Sequence, residues 1–189
     1  MTEPRHAPGS LESSIHAFVE GLHHAPWFGA LGEPLTPSEI ADAEAHLGGL
    51  GFDGIVIEGI TDWPDARTAT LHPQRDNRWR DAAQREAKAL RLDANSAHGA
   101  ESVLSELSHV EEAATALMSE LATAAALDRG IKDESLTGAA ARAATEAAYQ
   151  AALALAAGAP ASHPFRLKLN LFECDRWPLA LIGNHFFLF

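Results

Sequence analysis

Two Glu-x-x-His pairs, Glu20/His23 and Glu106/His109, are the first residues here whose types and spacing could do chemistry. On facing helices of a bundle, pairs at that spacing hold a di-iron or di-manganese centre. In a chain with ten histidines such pairs also arise by chance. Helical phase counts against them as well. At about 100° per residue, His109 lies far round from Leu107, Val110 and Leu117, the apolar stripe of its own segment. Both pairs are therefore expected at the surface, with no structural metal and no other cofactor.

A second group is denser. In "DWPDARTATLHPQRDNRWRDAAQREAKALR", Trp63 and Trp79 flank a polar stretch that carries Arg67, Arg75, Arg78 and Arg80. Arginine beside tryptophan can hold an anionic or planar ligand through forked hydrogen bonds and stacking. Ion pairing competes with that use. Half of the fourteen basic residues fall between 67 and 91, whereas residues 1 to 62 hold Arg5 as their only one, so these arginines could equally neutralise the acidic first third or Asp65, Asp76 and Asp81. Trp63, Arg67, Arg75, Arg78 and Trp79 are the candidate ligand-binding residues.

Other signatures are missing. There is no nucleophile elbow, P-loop, HExxH or dinucleotide fingerprint. The glycines of "GGLGFDG" follow a helical pattern and precede a strand-like one, the reverse of the order that cradles phosphate. His72, His163 and His185 fall in or beside apparent loops, but no carboxylate or nucleophile can be paired with them from sequence. Cys174 sits between Glu173 and Asp175, whose charges weaken a thiol as a nucleophile.

Composition narrows the class. A formal net charge of −12 opposes nucleic acid and anionic lipid at long range. A single cysteine rules out an internal disulfide framework and suits a reducing compartment. The first fifteen residues lack the basic start and apolar run of a secretory signal and read as a frayed start. The longest charge-free run, 147–165, is alanine-rich and interrupted by Gly158, Pro160 and Pro164, unlike a membrane span. A soluble cytoplasmic protein is expected, without nucleic-acid or membrane partners.

The elements that must position these residues come next. Leu11, Ile15, Phe18 and Leu22 form one helical stripe ended by Pro26. Thr36, Pro37 and Glu39 give a capping box and a proline at the first helical position, with Gly48-Gly49 as a stop. A β-branched run predicts a strand from about Gly54 to Ile60. Residues 61–78 read as a loop, and a third helix covers Arg78 to Leu92. Val103, Leu107, Val110, Ala114, Leu117, Leu121 and Ala124 step by four and three, a coiled-coil-like seam on a long helix. An alanine-rich helix, Leu136 to Ala157, should fold back on it as an antiparallel hairpin. In "FRLKLNLF" apolar residues alternate with polar ones as in a strand. "LALIG", a Gly183-Asn184 turn and His185 to Phe189 complete a meander whose last strand packs its aromatics inward, or stands as an edge open to a second copy.

The fold expected is α+β and mostly α: two short N-terminal helices, one strand, a third helix, a long αα-hairpin and a C-terminal three-stranded antiparallel β-meander. One domain is expected over 1–189, helical from about 10 to 157 and with the meander from about 164 to 189. Because the seam offers more apolar surface than a small chain easily covers, the first functional reading is a homodimeric interaction or scaffold protein without catalysis. The alternatives are an anionic small-molecule binding protein or enzyme using the Trp63 to Trp79 segment, and a metal-dependent protein using the Glu-x-x-His pairs.

Overall fold

Ser10 accepts a hydrogen bond from the Ser13 backbone N–H and so starts α1 (Leu11–Leu22), whose Leu11, Ile15, Val19 and Leu22 turn inward. A computed structural model describes residues 10–29 and 31–189; the stretch read as a frayed start lies outside them up to residue 9. The second helix, α2 (Pro37–Gly49), begins on the expected capping box: the Thr36 hydroxyl receives the Glu39 N–H, and the Glu39 carboxylate receives the Thr36 N–H. The helix ends at Gly49, as expected. A Cβ there would come within 2.4 Å of the Pro164 ring, so this glycine also permits close helix packing, and Gly51 makes a left-handed turn (φ 87°) just beyond the helix.

After β1 (Val56–Gly59) the expected loop is instead a helix, α3 (Trp63–Leu71). Asp62 caps it by accepting the Asp65 N–H at 2.8 Å, and Pro64 sits in its first turn, where a missing N–H costs nothing. The third expected helix runs further than its pattern suggested, as α4 (Arg78–His98), and Gly99 separates it from α5 (Ala100–Asp128).

The stripe on α5 is buried at Val103, Leu107, Val110 and Ala114 as expected, then moves to Met118, Ala122 and Ala126 rather than Leu117, Leu121 and Ala124. A helix of 3.6 residues per turn drifts off a 3.5-residue repeat unless it supercoils. Here the stripe follows the helix. Connection 129–133 leads into α6 (Glu134–Ala156), which packs along α5 and is also touched by α1, α4 and α7. Its buried side chains are mainly alanines, which let helices approach from several sides. The stripe of α5 is thus covered within the chain by α1 and α6.

Residues 164–173 overturn a sequence expectation. They form a helix, α7 (Pro164–Glu173), not a strand. Phe165, Lys168, Leu169 and Phe172 are buried at helical spacing, and the alternation of leucine with Arg166, Lys168 and Asn170 is coincidental. His163 caps the helix by accepting the Phe165 N–H, and Pro164 occupies its first position.

The two last strands, β2 (Pro178–Ile182) and β3 (His185–Leu188), pair antiparallel as expected. The third member of the sheet is β1, which pairs parallel to β3 with Ile57 opposite Phe186. The order is β1-β3-β2, so the sheet is mixed rather than an antiparallel meander, and the final strand is central rather than an open edge. The C-terminal unit expected over 164–189 therefore recruits a strand from residue 56. Phe186, Leu188 and Phe189 are buried, while Phe187 is half-buried. Among the described residues no helix is long and apolar enough to cross a membrane.

Candidate functional site

A cleft of about 680 Å³ opens between α3 and the connection from α5 to α6. Trp63, Arg67 and Leu71 are spaced i, i+4, i+8 and line it from one face of α3. Ile131, Lys132 and Asp133 from the connection, with Leu136 from α6, form the opposite wall. The alternate positions Ala66 and Ala69 face the core and anchor the helix.

Charge within the cleft runs against the acidic average of the chain. Arg67 and Lys132 line it against one carboxylate, Asp133. That carboxylate is already engaged: it receives the Ser135 and Leu136 N–H groups at the start of α6, receives the Ser135 hydroxyl, and meets Arg67 Nε at 3.0 Å. The Ser135 hydroxyl above all, then the Leu136 N–H and Arg67, holds Asp133 below the usual carboxylate range. The Arg67 side chain remains 58% exposed, so a second anion can reach it.

Trp63 is buried, with its ring edge-on to Phe189 at 5.1 Å between centroids. Its indole N–H has no acceptor among the described residues. The other candidate residues lie elsewhere. Arg78 is exposed and paired with Asp76 at 2.6 Å, which raises its own pKa and lowers that of Asp76. Arg75 forms a backbone bridge to Ile182. Trp79 is buried in a different core cluster, edge-on to Phe186 at 5.1 Å. Of the five, only Trp63 and Arg67 share the cleft. Leu71 was missed because the segment read as a loop hides the i, i+4, i+8 spacing, Lys132 and Asp133 because they come from a distant connection, and His72 was noted in sequence without a partner.

A buried polar group the sequence did not single out centres on His46, which is 0% exposed. Its Nδ1 lies 2.8 Å from the Pro164 carbonyl and its Nε2 lies 3.3 Å from the Trp79 indole nitrogen. A carbonyl only accepts and an indole N–H only donates, so the ring is neutral with its proton on Nδ1. Burial first, and then the nearby Lys168 charge, pushes its pKa down to about 3. Lys168 is itself buried, donating to Gln150 Oε1 at 3.1 Å and lying 3.8 Å from Glu146. Burial pushes the ammonium pKa down, with Glu146 opposing and Arg80 adding to the shift. His46 is fully enclosed and Lys168 is 7% exposed, so the group reads as structural.

His46 makes stability depend on pH. Its folded pKa is depressed from 6.5, so its contribution is complete above pH 6.5 and is lost as pH falls toward 3. Between pH 7 and pH 5 the loss should be about 2 kcal/mol. Urea unfolding at both values should show it, with a flatter dependence in His46→Gln. Equal slopes in the two proteins would refute the assignment.

Glu106 and His109 line a surface cleft with Glu12 and His16 of α1, while Glu20 lies nearer the end of α1 and His23 just after it. Among the described residues no group of three or more His, Cys, Asp or Glu side chains is placed to hold a metal ion. His163 contacts Glu86 at 3.0 Å and His185 contacts Glu58 at 2.5 Å across β1 and β3. Cys174 is exposed, but partial burial and then the carboxylates of Glu39, Asp42, Glu173 and Asp175 push its thiol pKa up. Comparison of the chain with protein-family models, curated proteins and solved structures finds no match.

Proposed function

We propose that this protein binds a small anionic molecule with an apolar body in the α3 cleft. In this reading α5 and α6 form the antiparallel hairpin expected from sequence, and its turn supplies one wall. The observation that carries the proposal is the placement of an exposed Arg67 guanidinium between Leu71 and the buried Trp63, in a cleft where Arg67 and Lys132 face a single, already engaged carboxylate. Arg67 takes the anion as a fork of parallel N–H donors, sharing or exchanging its contact with Asp133. Lys132 adds charge, and Leu71, Ile131 and Leu136 bury the body of the ligand.

Thermal unfolding in the presence of a panel of carboxylates and phosphate esters tests this. A ligand at 100 times its Kd should stabilise the protein by about 2.7 kcal/mol. Arg67→Ala should weaken binding by about ten- to a hundredfold, the worth of a charged hydrogen bond. Arg78→Ala, outside the cleft, should bind as the unsubstituted protein does. An unchanged response in Arg67→Ala, or equal loss in both variants, would remove the cleft as the site.

A further inference from the structure

We infer that a second cleft, between α5 and α6, binds a short extended peptide with both ends free, its carboxylate on Arg142 and its ammonium group on Glu111. This cleft has a volume of about 570 Å³ and shares no residue with the α3 cleft, so the inference stands apart from the reading above. Glu111, Thr115 and Ser119 recur at i, i+4, i+8 along α5 and form one wall, and Arg142 and Thr145 line the other from α6. Among the described residues these five side chains make no hydrogen bond or ion pair within the chain. Elsewhere the hydroxyls of Thr68, Thr123 and Thr137 each donate to the carbonyl four residues back, as helical threonines commonly do. Those of Thr115, Ser119 and Thr145 do not.

Charge selects a ligand that carries both signs. Glu146, the other carboxylate of the cleft, is taken by the Gln150 amide at 2.9 Å and by Lys168 at 3.8 Å. One cation and one anion are left, which a zwitterion satisfies and a simple anion or cation does not. Gly138 makes room for the cation. It is the one glycine of α6, where alanine would hold the helix better, and a Cβ there would stand 3.2 Å from Arg142 Nη1. The guanidinium therefore lies back toward the start of α6, away from Glu111.

Spacing selects the length. Arg142 stands eight residues into α6 and Glu111 seventeen residues back along α5, which separates them by about 14 Å along the helices at 1.5 Å per residue. That is too far for the two side chains to pair with each other. An extended chain of about four residues covers it, at roughly 3.3–3.6 Å per residue. Thr115 and Ser119 lie about 6 Å apart along the axis, close to the roughly 6.6–6.8 Å at which like-facing backbone groups of an extended chain recur. The peptide amides meet those two hydroxyls on one side and Thr145 on the other.

The test titrates the full chain with tetra-alanine, with its N-acetylated and C-amidated forms and with dialanine, followed by the backbone 1H–15N resonance of Gly138. Tetra-alanine should bind at millimolar concentration or below. Blocking either end should weaken it about ten- to a hundredfold, the worth of one charged hydrogen bond. Dialanine has both charges but cannot span the cleft, and should bind about tenfold more weakly or worse. In Arg142→Gln the amidated and free peptides should bind alike, and in Glu111→Gln the acetylated and free peptides should. Both side chains are exposed, so neither change disturbs the core. Arg67→Ala, in the other cleft, should bind tetra-alanine as the unsubstituted protein does. Failure of tetra-alanine to bind would overturn the inference. So would equal binding of free and blocked peptides, equal binding of dialanine, or a loss in Arg67→Ala, which would move the peptide carboxylate to the α3 cleft.

Discussion

Replacing Arg176 by alanine is expected to destabilise the protein by about 3–5 kcal/mol, the cost of leaving a buried charge without its partner. The Arg176 side chain is 3% exposed and ties three parts of the chain together at the joint between α7 and β2. Its Nε donates to Glu39 Oε1 at 2.9 Å, Nη1 to the Glu33 carbonyl at 2.8 Å and Nη2 to the Pro34 carbonyl at 3.0 Å. The neighbouring Asp175 receives the Gly29 N–H at 2.8 Å, so one dipeptide holds the connection from α1 to α2 at Gly29, Glu33 and Pro34. Trp27 and Phe28 in that connection have positive φ, a conformation that persists only where the surroundings enforce it.

Acid should change the size of this effect in a definite direction. Burial tends to raise the Glu39 pKa, but the Arg176 hydrogen bond and the Thr36 N–H and hydroxyl together hold it below its ordinary value of 4.5. With a depressed folded pKa, Glu39 contributes stability that is present above pH 4.5 and lost as pH falls through the folded value. Without Arg176 the hydrogen bond and charge that lower the Glu39 pKa are lost, so the carboxyl pKa rises relative to the unsubstituted protein. The gap between the two proteins is then widest near pH 7 and narrows toward pH 4. Urea titrations at both values measure it. A cost below about 1 kcal/mol at pH 7, typical of a surface pair, would show that water reaches the site. Replacing both partners, as Glu39→Leu with Arg176→Met, should recover much of the loss, because an apolar pair leaves no orphaned charge.

Phe186→Ala should cost about 3–5 kcal/mol. Its ring is fully buried on the central strand, edge-on to Trp79 and 6.3 Å from His46, where the sheet meets α2 and α7. The surrounding atoms are parts of separate elements and cannot all close on the space left. Phe187 points to the other face, half-buried and stacked on His185 at 6.4 Å, so Phe187→Ala should cost about 1 kcal/mol by the smaller area it removes from water. Chemical denaturation of both variants separates the two faces. Equal losses would mean that the aromatic tail is not sorted by strand alternation.

Much of the fold was legible because it rests on local chemistry. The capping box of Thr36 and Glu39, the α5 stripe up to Ala114 and the alanine-rich α6 follow from spacing of a few residues. Two segments went wrong where local signals conflicted. Leucines at 167, 169 and 171 mimic a strand, although the stretch lacks β-branched residues and opens with His163-Pro164, a helix start. Two prolines and a polar composition hid α3, although Asp62 and Pro64 mark its beginning. That second error dispersed the candidate site. Once residues 63–71 are helical, Trp63, Arg67 and Leu71 share a face, and Trp79 and Arg78 leave the group.

The sequence by itself determined where most helices begin, that the chain ends in an antiparallel pair of strands and that the basic residues concentrate in one segment, since these depend on nearest neighbours along the chain. Only the tertiary structure decided that β1 pairs beside β3, that α5 is covered by its own chain, and that Lys132 and Asp133 face Arg67. Each of those joins residues far apart in sequence. Their pairing is chosen by the burial of surfaces that no single segment carries.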